Sequence, residues 1–166
     1  MHSRIFQISK NPIKKEDYFS ADRYYAGEHE HFVDTIADYV DDDTNRNSDI
    51  QWLKECLGSI VDFNTDENGN TLFTINNKLD YFQNKFTEFK ELLQQLENIT
   101  LEDFAGYGNM KIKLQMYRIQ ESYSDKYDFY MDDNYENLGL VPLDEFLRSV
   151  NEGDTFYIGA SVDYHF

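Results

Sequence analysis

A stripe of apolar residues between Asn77 and Asn98 constrains the fold of this chain more than any other feature. The stripe residues recur at alternating steps of three and four, at Leu79, Phe82, Phe86, Phe89, Leu93 and Leu96. This spacing places all six on one side of an α-helix whose other side is polar. A helix of about 20 residues rises roughly 30 Å, the width of a small domain. We therefore expect the rest of the chain to pack on this stripe.

Shorter patterns on either side predict an α+β fold, in which a small mixed sheet or hairpins pack against the long helix (77–98) and several shorter helices. Strands are predicted at 4–9, 127–131, 138–141 and from Thr155 onward, helices at 30–41, 48–58, 100–104 and 142–152, and a loop at 14–27. Residues 110–123 fit both a strand and a helix, and we prefer the helix because its match is longer. Capping-box patterns mark the helix starts at Ser48 and Thr100. The length of 166 residues suits a single domain, 1–166.

Residues 59–75 predict a β-hairpin whose register has two solutions. A two-residue turn at Asn68-Gly69 would mix apolar and polar side chains on each face. Pairing Val61 with Ile75 and Phe63 with Phe73 keeps one face apolar and requires a loop of five residues. We favour this second register, because a slip of one residue would turn the rings toward water.

The composition is that of a folded protein. Hydrophobic residues make up 40% of the chain and aromatic residues 16%, far more than an acidic disordered tail contains. Its apolar runs stay well short of the roughly 18 residues that span a bilayer, and residues 1–15 lack the apolar region of a signal peptide. The single Cys56 offers no disulfide framework. We therefore expect a cytoplasmic protein without membrane association.

The net charge of −17 is distributed unevenly along the chain. Residues 1–15 contain four basic residues and no acidic ones. Residues 16–49 and 121–166 each contain eleven acidic and two basic residues, which gives −9 apiece, whereas 50–120 carries only −3. Negative charge on this scale opposes binding to nucleic acid phosphates. We therefore expect no direct nucleic acid binding and a basic protein as the partner.

Each motif that suggests chemistry has a simpler explanation. His29-Glu30-His31 has metal-ligand spacing for a strand, but it stands at a predicted helix start, where residues two apart face different directions. The run from Asp62 to Gly69 alternates like a calcium loop, yet no frame places both the Gly and the last Glu of an EF-hand correctly. Cys56 has an acidic neighbour, which disfavours a thiolate, and His165 stands in an aromatic tail typical of packing. We predict no catalytic residue, metal or cofactor, and a metal-dependent hydrolase built on His29 and His31 is the enzymatic alternative.

Two sets of acidic residues are the candidate binding residues. On the predicted helix 30–41, Asp34, Asp38 and Asp41 or Asp42 share one face at intervals of roughly 5–6 Å. Phosphates advance about 3.4 Å per nucleotide along a DNA strand, which is the same order of spacing. The second set, after residue 121, is interleaved with tyrosines, which are common in interface hot spots. The selected residues are Asp34, Asp38, Asp42, Asp132, Asp133 and Glu136 for charge, and Tyr130 and Tyr135 as anchors.

These observations predict a non-enzymatic acidic interaction or inhibitor protein that docks on a basic, nucleic-acid-binding partner, as a nucleic-acid mimic would. In size and charge the chain resembles DNA-mimic antirestriction and anti-CRISPR proteins and the acidic immunity proteins of nuclease toxins. This resemblance lies in composition and brings no residue roles with it. The alternative is a small accessory domain without chemistry that binds a peptide or forms a homodimer through the stripe at 77–98.

Overall fold

A computed structural model of the protein describes residues 1–25, 31–107 and 110–166. Within these ranges the chain forms a mixed seven-stranded sheet and six helices, which confirms the predicted α+β class. The strands are β1 (His2–Ser9), β2 (Tyr39–Asp41), β3 (Val61–Thr65), β4 (Thr71–Ile75), β5 (Tyr130–Asp132), β6 (Leu140–Pro142) and β7 (Thr155–His165). The helices are α1 (Phe32–Thr35), α2 (Arg46–Leu57), α3 (Lys78–Glu97), α4 (Leu101–Ala105), α5 (Met110–Tyr123) and α6 (Leu143–Ser149). Two short 3-10 turns, Lys15–Asp17 and Ala21–Tyr24, lie in the segment predicted as a loop. In the described part of the chain, no helix has both the length and the apolar character needed to cross a bilayer.

The centre of the sheet is β7. The first part of this strand pairs with β4 and its last part with β2, while β1 runs antiparallel along its other edge. β5 pairs parallel with β1, so the order is β3-β4-β7-β1-β5-β6 with β2 beside β7. Residues 158–164 of β7 are all buried, because both faces of the sheet are covered at this strand.

Hydrophobic clusters cover the two faces of the sheet. On one face, α2 and α6 pack on the strands around the fully buried Phe73. On the other face, the 3-10 turn Ala21–Tyr24 and Phe32 pack on Tyr164. The hydrophobic core of the protein is therefore organised by the sheet.

The helix predicted at 77–98 is confirmed as α3, but the expectation that the rest of the chain packs on its stripe is wrong. Leu79 and Phe86 of the stripe are 71% and 60% exposed, and the buried residue of this helix is Leu92, outside the stripe. α3 packs alongside α5, and only its first turns reach the sheet core, through Tyr81 and Phe82. We call residues 78–123 the arm. The stripe therefore packs mainly against α5, at the side of the sheet, and not against the sheet core.

Several other predictions are confirmed. β3 and β4 pair in the favoured register, with Phe63 opposite Phe73 across the loop 66–70. Residues 110–123 form the helix α5, and Thr100 caps α4 in a capping box with Asp103. The strands predicted at 127–131 and 138–141 are present with shifted ends as β5 and β6, and they pair with each other.

The helix predicted at 30–41 is wrong over residues 31–41, the part that the structure describes. α1 is a single turn that contains extended backbone at Val33 and a φ of 77° at Asp34. The chain then enters β2, which pairs with the end of β7. Aromatic and β-branched residues such as Tyr39 and Val40 favour a strand where the edge of a sheet is available. The helix face proposed for the acidic residues of this segment therefore does not exist.

The start of α2 also differs from the prediction. Asn45 rather than Ser48 caps this helix, and the Asn45 side chain accepts a hydrogen bond from the Ser48 N–H. Asn is as effective as Ser at this position, so the helix begins earlier. Its predicted core residues Ile50, Leu53 and Leu57 are buried.

Candidate functional site

The structure separates the predicted binding residues into a buried and an exposed group. Asp132, Asp133 and Tyr130 are buried. Their prediction as binding residues required them to be exposed. The Tyr130 hydroxyl donates to the Lys126 carbonyl, and burial raises the pKa of Tyr130. The exposed group contains Asp34, Asp38, Asp42, Tyr135 and Glu136.

Asp132 and Asp42 anchor the 3-10 turn Ala21–Tyr24 on the sheet. The Asp132 carboxylate accepts hydrogen bonds from the Arg23 guanidinium and the Tyr24 hydroxyl, both at 3.1 Å. Burial, and then the Asp132 carboxylate, raises the pKa of Tyr24 well above its ordinary value, so its hydroxyl remains a donor. At the start of the turn, Asp42 accepts a hydrogen bond from the Ala21 N–H at 2.7 Å. Asp132 and Asp42, which were predicted to contact a partner through their charge, therefore hold the turn Ala21–Tyr24 on the sheet.

Asp133 organises the connection between β5 and β6, residues 133–139, which we call the Tyr135 loop. Its carboxylate accepts hydrogen bonds from the backbone N–H groups of Asn137, Leu138 and Gly139 at 3.0, 3.1 and 2.7 Å. The Asn134 N–H donates to Asp132 at 2.9 Å. These bonds satisfy the buried carboxylates, and they fix the loop at both of its ends.

The tip of the Tyr135 loop has an unusual backbone. Asn134 and Tyr135 are both left-handed, with φ of 57° and 62°. Asn adopts this conformation readily, whereas Tyr seldom does. The Tyr135 ring packs so closely on Gly139 that a Cβ there would lie 2.8 Å from it, and the Arg23 guanidinium lies 5.8 Å from its centroid. The ring is thus held in place while half of the residue stays exposed.

Asp34 and Asp38 lie elsewhere, beside a cleft of about 400 Å³ that also contacts Phe166. The Asp38 N–H donates to the His165 carbonyl at 2.6 Å, next to the start of β2. Both side chains are exposed. Asp34 lies in the single turn α1 and Asp38 directly precedes β2, so the two residues do not share the face of a helix.

An aromatic cleft of about 470 Å³ lies between the sheet and the arm. Its walls include Trp52, Tyr81 and Phe129, and Cys56 lies among them. Partial burial of its thiol, followed by the Asp128 and Glu55 carboxylates, raises the pKa of Cys56. The thiol therefore stays protonated near neutral pH and is a poor nucleophile.

The calcium-like run is a hairpin loop with internal hydrogen bonds. The Asp66 carboxylate accepts bonds from the N–H groups of Asn68 and Asn70 at 2.9 and 2.8 Å. The side chain and backbone of Asn70 lower the pKa of Asp66. This carboxylate caps the turn between β3 and β4.

Sequence reasoning missed one group of ligand-type side chains, His2, Asp163 and His165. β1 and β7 pair His2 directly with His165, although the two residues stand at opposite ends of the sequence. The available signal was the spacing of Asp163 and His165, which share a face if this segment is a strand. Of the pair considered as metal ligands, His29 lies outside the described residues and His31 is exposed.

Comparison of the chain with family models, with curated proteins and with solved structures finds no match. What the protein does is therefore inferred from its own side chains.

Proposed function

We propose that this protein is a non-enzymatic acidic interaction protein that docks on a basic, nucleic-acid-binding partner through the Tyr135 loop. The observation that carries the proposal is the fixed, half-exposed Tyr135 at the tip of that loop. A left-handed Tyr costs roughly 1–2 kcal/mol, and the buried carboxylates beside it maintain the conformation. Strained residues that their surroundings hold in place are concentrated at binding and switch sites.

A ring that is already positioned is a favourable anchor for a partner. Tyr offers a large contact area and has few torsions to lose on binding. Because the loop is ordered by Asp133, docking would lose little further conformational entropy. Glu136 is exposed next to Tyr135 and is free to meet a Lys or Arg of a partner.

The charge of the protein supports a basic partner. Residues 121–166, which contain the Tyr135 loop, carry −9 of the total −17, and six of their eleven acidic side chains lie outside the buried set. Opposite charge accelerates encounter and makes it sensitive to salt, whereas buried anchors set the lifetime of a complex. The exposed Asp34 and Asp38 would add to this attraction at longer range. Nucleic-acid-binding proteins are a class whose surfaces carry the complementary charge.

The test is affinity capture from the lysate of the native host with the wild-type protein and with Tyr135→Ala/Glu136→Lys. We expect the wild type to retain a basic nucleic-acid-binding protein at low salt and to release it at high salt or on addition of excess double-stranded DNA. With the captured partner purified, the double variant should bind about 30- to 100-fold more weakly, since it lacks an anchoring ring and reverses a charge beside it.

Tyr107→Ala/Glu102→Lys is the matched control, because it makes the same two changes at exposed positions of the arm. This control should bind like the wild type. Equal binding by the Tyr135 variant would refute the assigned surface, and the absence of a basic protein from the low-salt capture would refute the proposed function.

Dimerisation through the arm is a second candidate function, favoured by a different observation. Leu101, Phe104, Met110 and Leu114 of the arm are 48–81% exposed, near an apolar groove of about 410 Å³. Residues 78–123 contain seven acidic and six basic residues, so the arm carries a net charge of only −1. Exposed apolar patches mark interaction sites, and two copies of an acidic chain repel least where their charge is lowest. The occupant that this face fits is therefore a second copy of the chain.

If the arm mediates dimerisation, size exclusion with light scattering should give a dimer at micromolar concentration that persists at high salt. Phe104→Ser/Leu114→Ser removes apolar surface without changing the charge, and it should raise the dissociation constant at least about tenfold. The variant should keep the circular dichroism spectrum of the wild type. A wild-type monomer at these concentrations would eliminate this alternative.

A further inference from the structure

His2, Asp163 and His165 form a compact group of potential metal ligands on one face of the sheet. Asp163 Oδ2 lies 2.9 Å from His2 Nδ1 and 3.1 Å from His165 Nε2. Asp41 Oδ2, on the neighbouring strand β2, lies 3.5 Å from the same His165 nitrogen. One ligand atom from each member of the first group lies within 4.8 Å of the others. Four side chains from three adjacent strands therefore converge.

Strand pairing explains why these side chains meet. His2 lies directly opposite His165 in the β1–β7 pair, and Asp41 lies opposite Asp163 in the β2–β7 pair. Directly paired residues point to the same face of a sheet, and so do residues two apart on one strand. The backbone of the three strands thus sets the arrangement without a loop.

Neighbouring side chains hold these groups in position. Tyr39 stacks on the His165 ring, with centroids 3.8 Å apart and an angle of 18° between the planes. Arg4 donates to Asp163 Oδ1, and it also donates to Asp49 at 2.8 Å. The contact with Arg4 leaves Asp163 Oδ2 directed at the two imidazoles. Ligands in metal sites are oriented by outer contacts of this kind.

Two further observations point to a cation. His165 Nε2 is shielded from solvent and within the described residues makes no hydrogen bond, and its close polar neighbours are the Asp163 and Asp41 carboxylates at 3.1 and 3.5 Å. Such a buried polar atom calls for a partner, and the lone pair of a neutral imidazole is a metal ligand. With neutral imidazoles, the three carboxylates of Asp41, Asp49 and Asp163 exceed the single charge of Arg4 by two. A divalent cation would balance that excess.

We propose that His2, Asp163 and His165 bind a zinc ion, with Asp41 as the fourth ligand. Zinc prefers four tetrahedral ligands at about 2.0–2.2 Å, which places neighbouring ligand atoms roughly 3.3 Å apart. Three of the six ligand separations, 2.9, 3.1 and 3.5 Å, differ from this value by a few tenths of an ångström, whereas Asp41 must move closer to the others, because it lies outside the group whose ligand atoms are all within 4.8 Å of one another. Magnesium and calcium prefer oxygen ligands, and the two imidazoles disfavour them. The ion joins β1, β2 and β7 where the start of β1 meets the end of β7, and it stabilises this end of the sheet.

The test uses the full chain without a polyhistidine tag, treated with a chelator and dialysed. Calorimetric titration with zinc chloride should give one ion per chain, and cobalt chloride should produce the visible absorption bands of a tetrahedral site. Saturating zinc should raise the midpoint of thermal unfolding by about 5–10 °C. Magnesium chloride should leave the midpoint unchanged.

Variants assign the binding to these residues. His2→Gln and His165→Gln should each weaken zinc binding at least about 100-fold, and Asp41→Asn about tenfold. His31→Gln is the matched control, because His31 is exposed and outside the group. The His2 side chain is 61% exposed, so His2→Gln reports on the site even if His165→Gln fails to fold. Zinc binding by His2→Gln equal to that of the wild type, the absence of stoichiometric binding, or loss of binding in His31→Gln alone would each overturn the proposal.

Discussion

Phe73→Ala is expected to lower the free energy of unfolding by about 3–5 kcal/mol, the usual cost of removing a fully buried aromatic side chain. Phe73 is inaccessible to solvent, and its ring lies 5.7–6.3 Å from the rings of Phe63, Phe146 and Phe156. These rings come from β3, α6 and β7, and a close-packed core of this kind relaxes only partly into a cavity. Urea unfolding followed by Trp52 fluorescence measures the loss.

Phe86→Ala is the control, since it removes the same ring from the exposed side of α3. Phe86 is 60% exposed, so the loss should stay below about 1 kcal/mol. Similar losses in the two variants would mean that the stripe on α3 belongs to the main core. A much larger loss of unfolding free energy in Phe73→Ala than in Phe86→Ala would show that the main core lies on the sheet.

Elements whose patterns are local could be predicted from the sequence. The register of β3 and β4 follows from which residues keep one face apolar, and the α4 start follows from the capping box at Thr100. The α3 helix was predictable from its period, but a period does not say what covers the stripe. In the structure α5 covers much of it, and the core forms around β7, whose partners β1 and β2 are remote in sequence. Long-range pairing of this kind leaves no trace in a local pattern.

The segment 31–41 shows that a local pattern can also predict the wrong secondary structure. Its apolar residues fit helical spacing, yet Tyr39 to Asp41 pair with β7 because that edge of the sheet is available there. Strand preference depends on tertiary context more than helix preference does. The acidic residues that helical spacing seemed to align are therefore distributed over a turn and a strand.

For the candidate site, the sequence indicated acidic residues and tyrosines but not their burial. A run of carboxylates is usually exposed, yet Asp132 and Asp133 are buried because backbone N–H groups and the Arg23–Tyr24 pair satisfy them. Tyr135 was selected as an anchor for its residue type alone. Its left-handed backbone and its packing on Gly139 become visible only in the structure.

The other large effect is expected at the base of the arm, where Lys85→Met should lower the free energy of unfolding by about 3 kcal/mol at pH 7. Asp125 is buried there; the Tyr81 hydroxyl donates to one carboxylate oxygen, and the Lys85 ammonium forms an ion pair with the other. Burial, and then the Asp125 carboxylate, raises the pKa of Tyr81 well above its ordinary value, so Tyr81 remains a neutral donor. Without Lys85, a buried negative charge loses its compensating cation.

The loss should be smaller at pH 4 than at pH 7. Partial burial, and then the Asp125 carboxylate, raises the pKa of Asp128, and Lys85 opposes this increase. Removing Lys85 should therefore raise the pKa of Asp128 further in the folded protein. A carboxyl group with a raised pKa binds more protons folded than unfolded, so stability falls as the pH rises from its ordinary pKa through the raised one. Denaturant unfolding at both pH values measures the difference.

Two further variants separate charge from packing at this position. Lys90→Met makes the same change at an exposed position of α3 and should alter the free energy of unfolding by less than about 0.5 kcal/mol. Lys85→Met/Asp125→Asn should recover at least half of the loss, because a neutral amide needs no cation and still accepts the Tyr81 hydroxyl. If the double variant were as unstable as Lys85→Met, the loss would come from the packing of the Lys85 stem. Recovery in the double variant would show that the loss in Lys85→Met comes from the unpaired buried charge of Asp125 and not from the packing of the Lys85 stem.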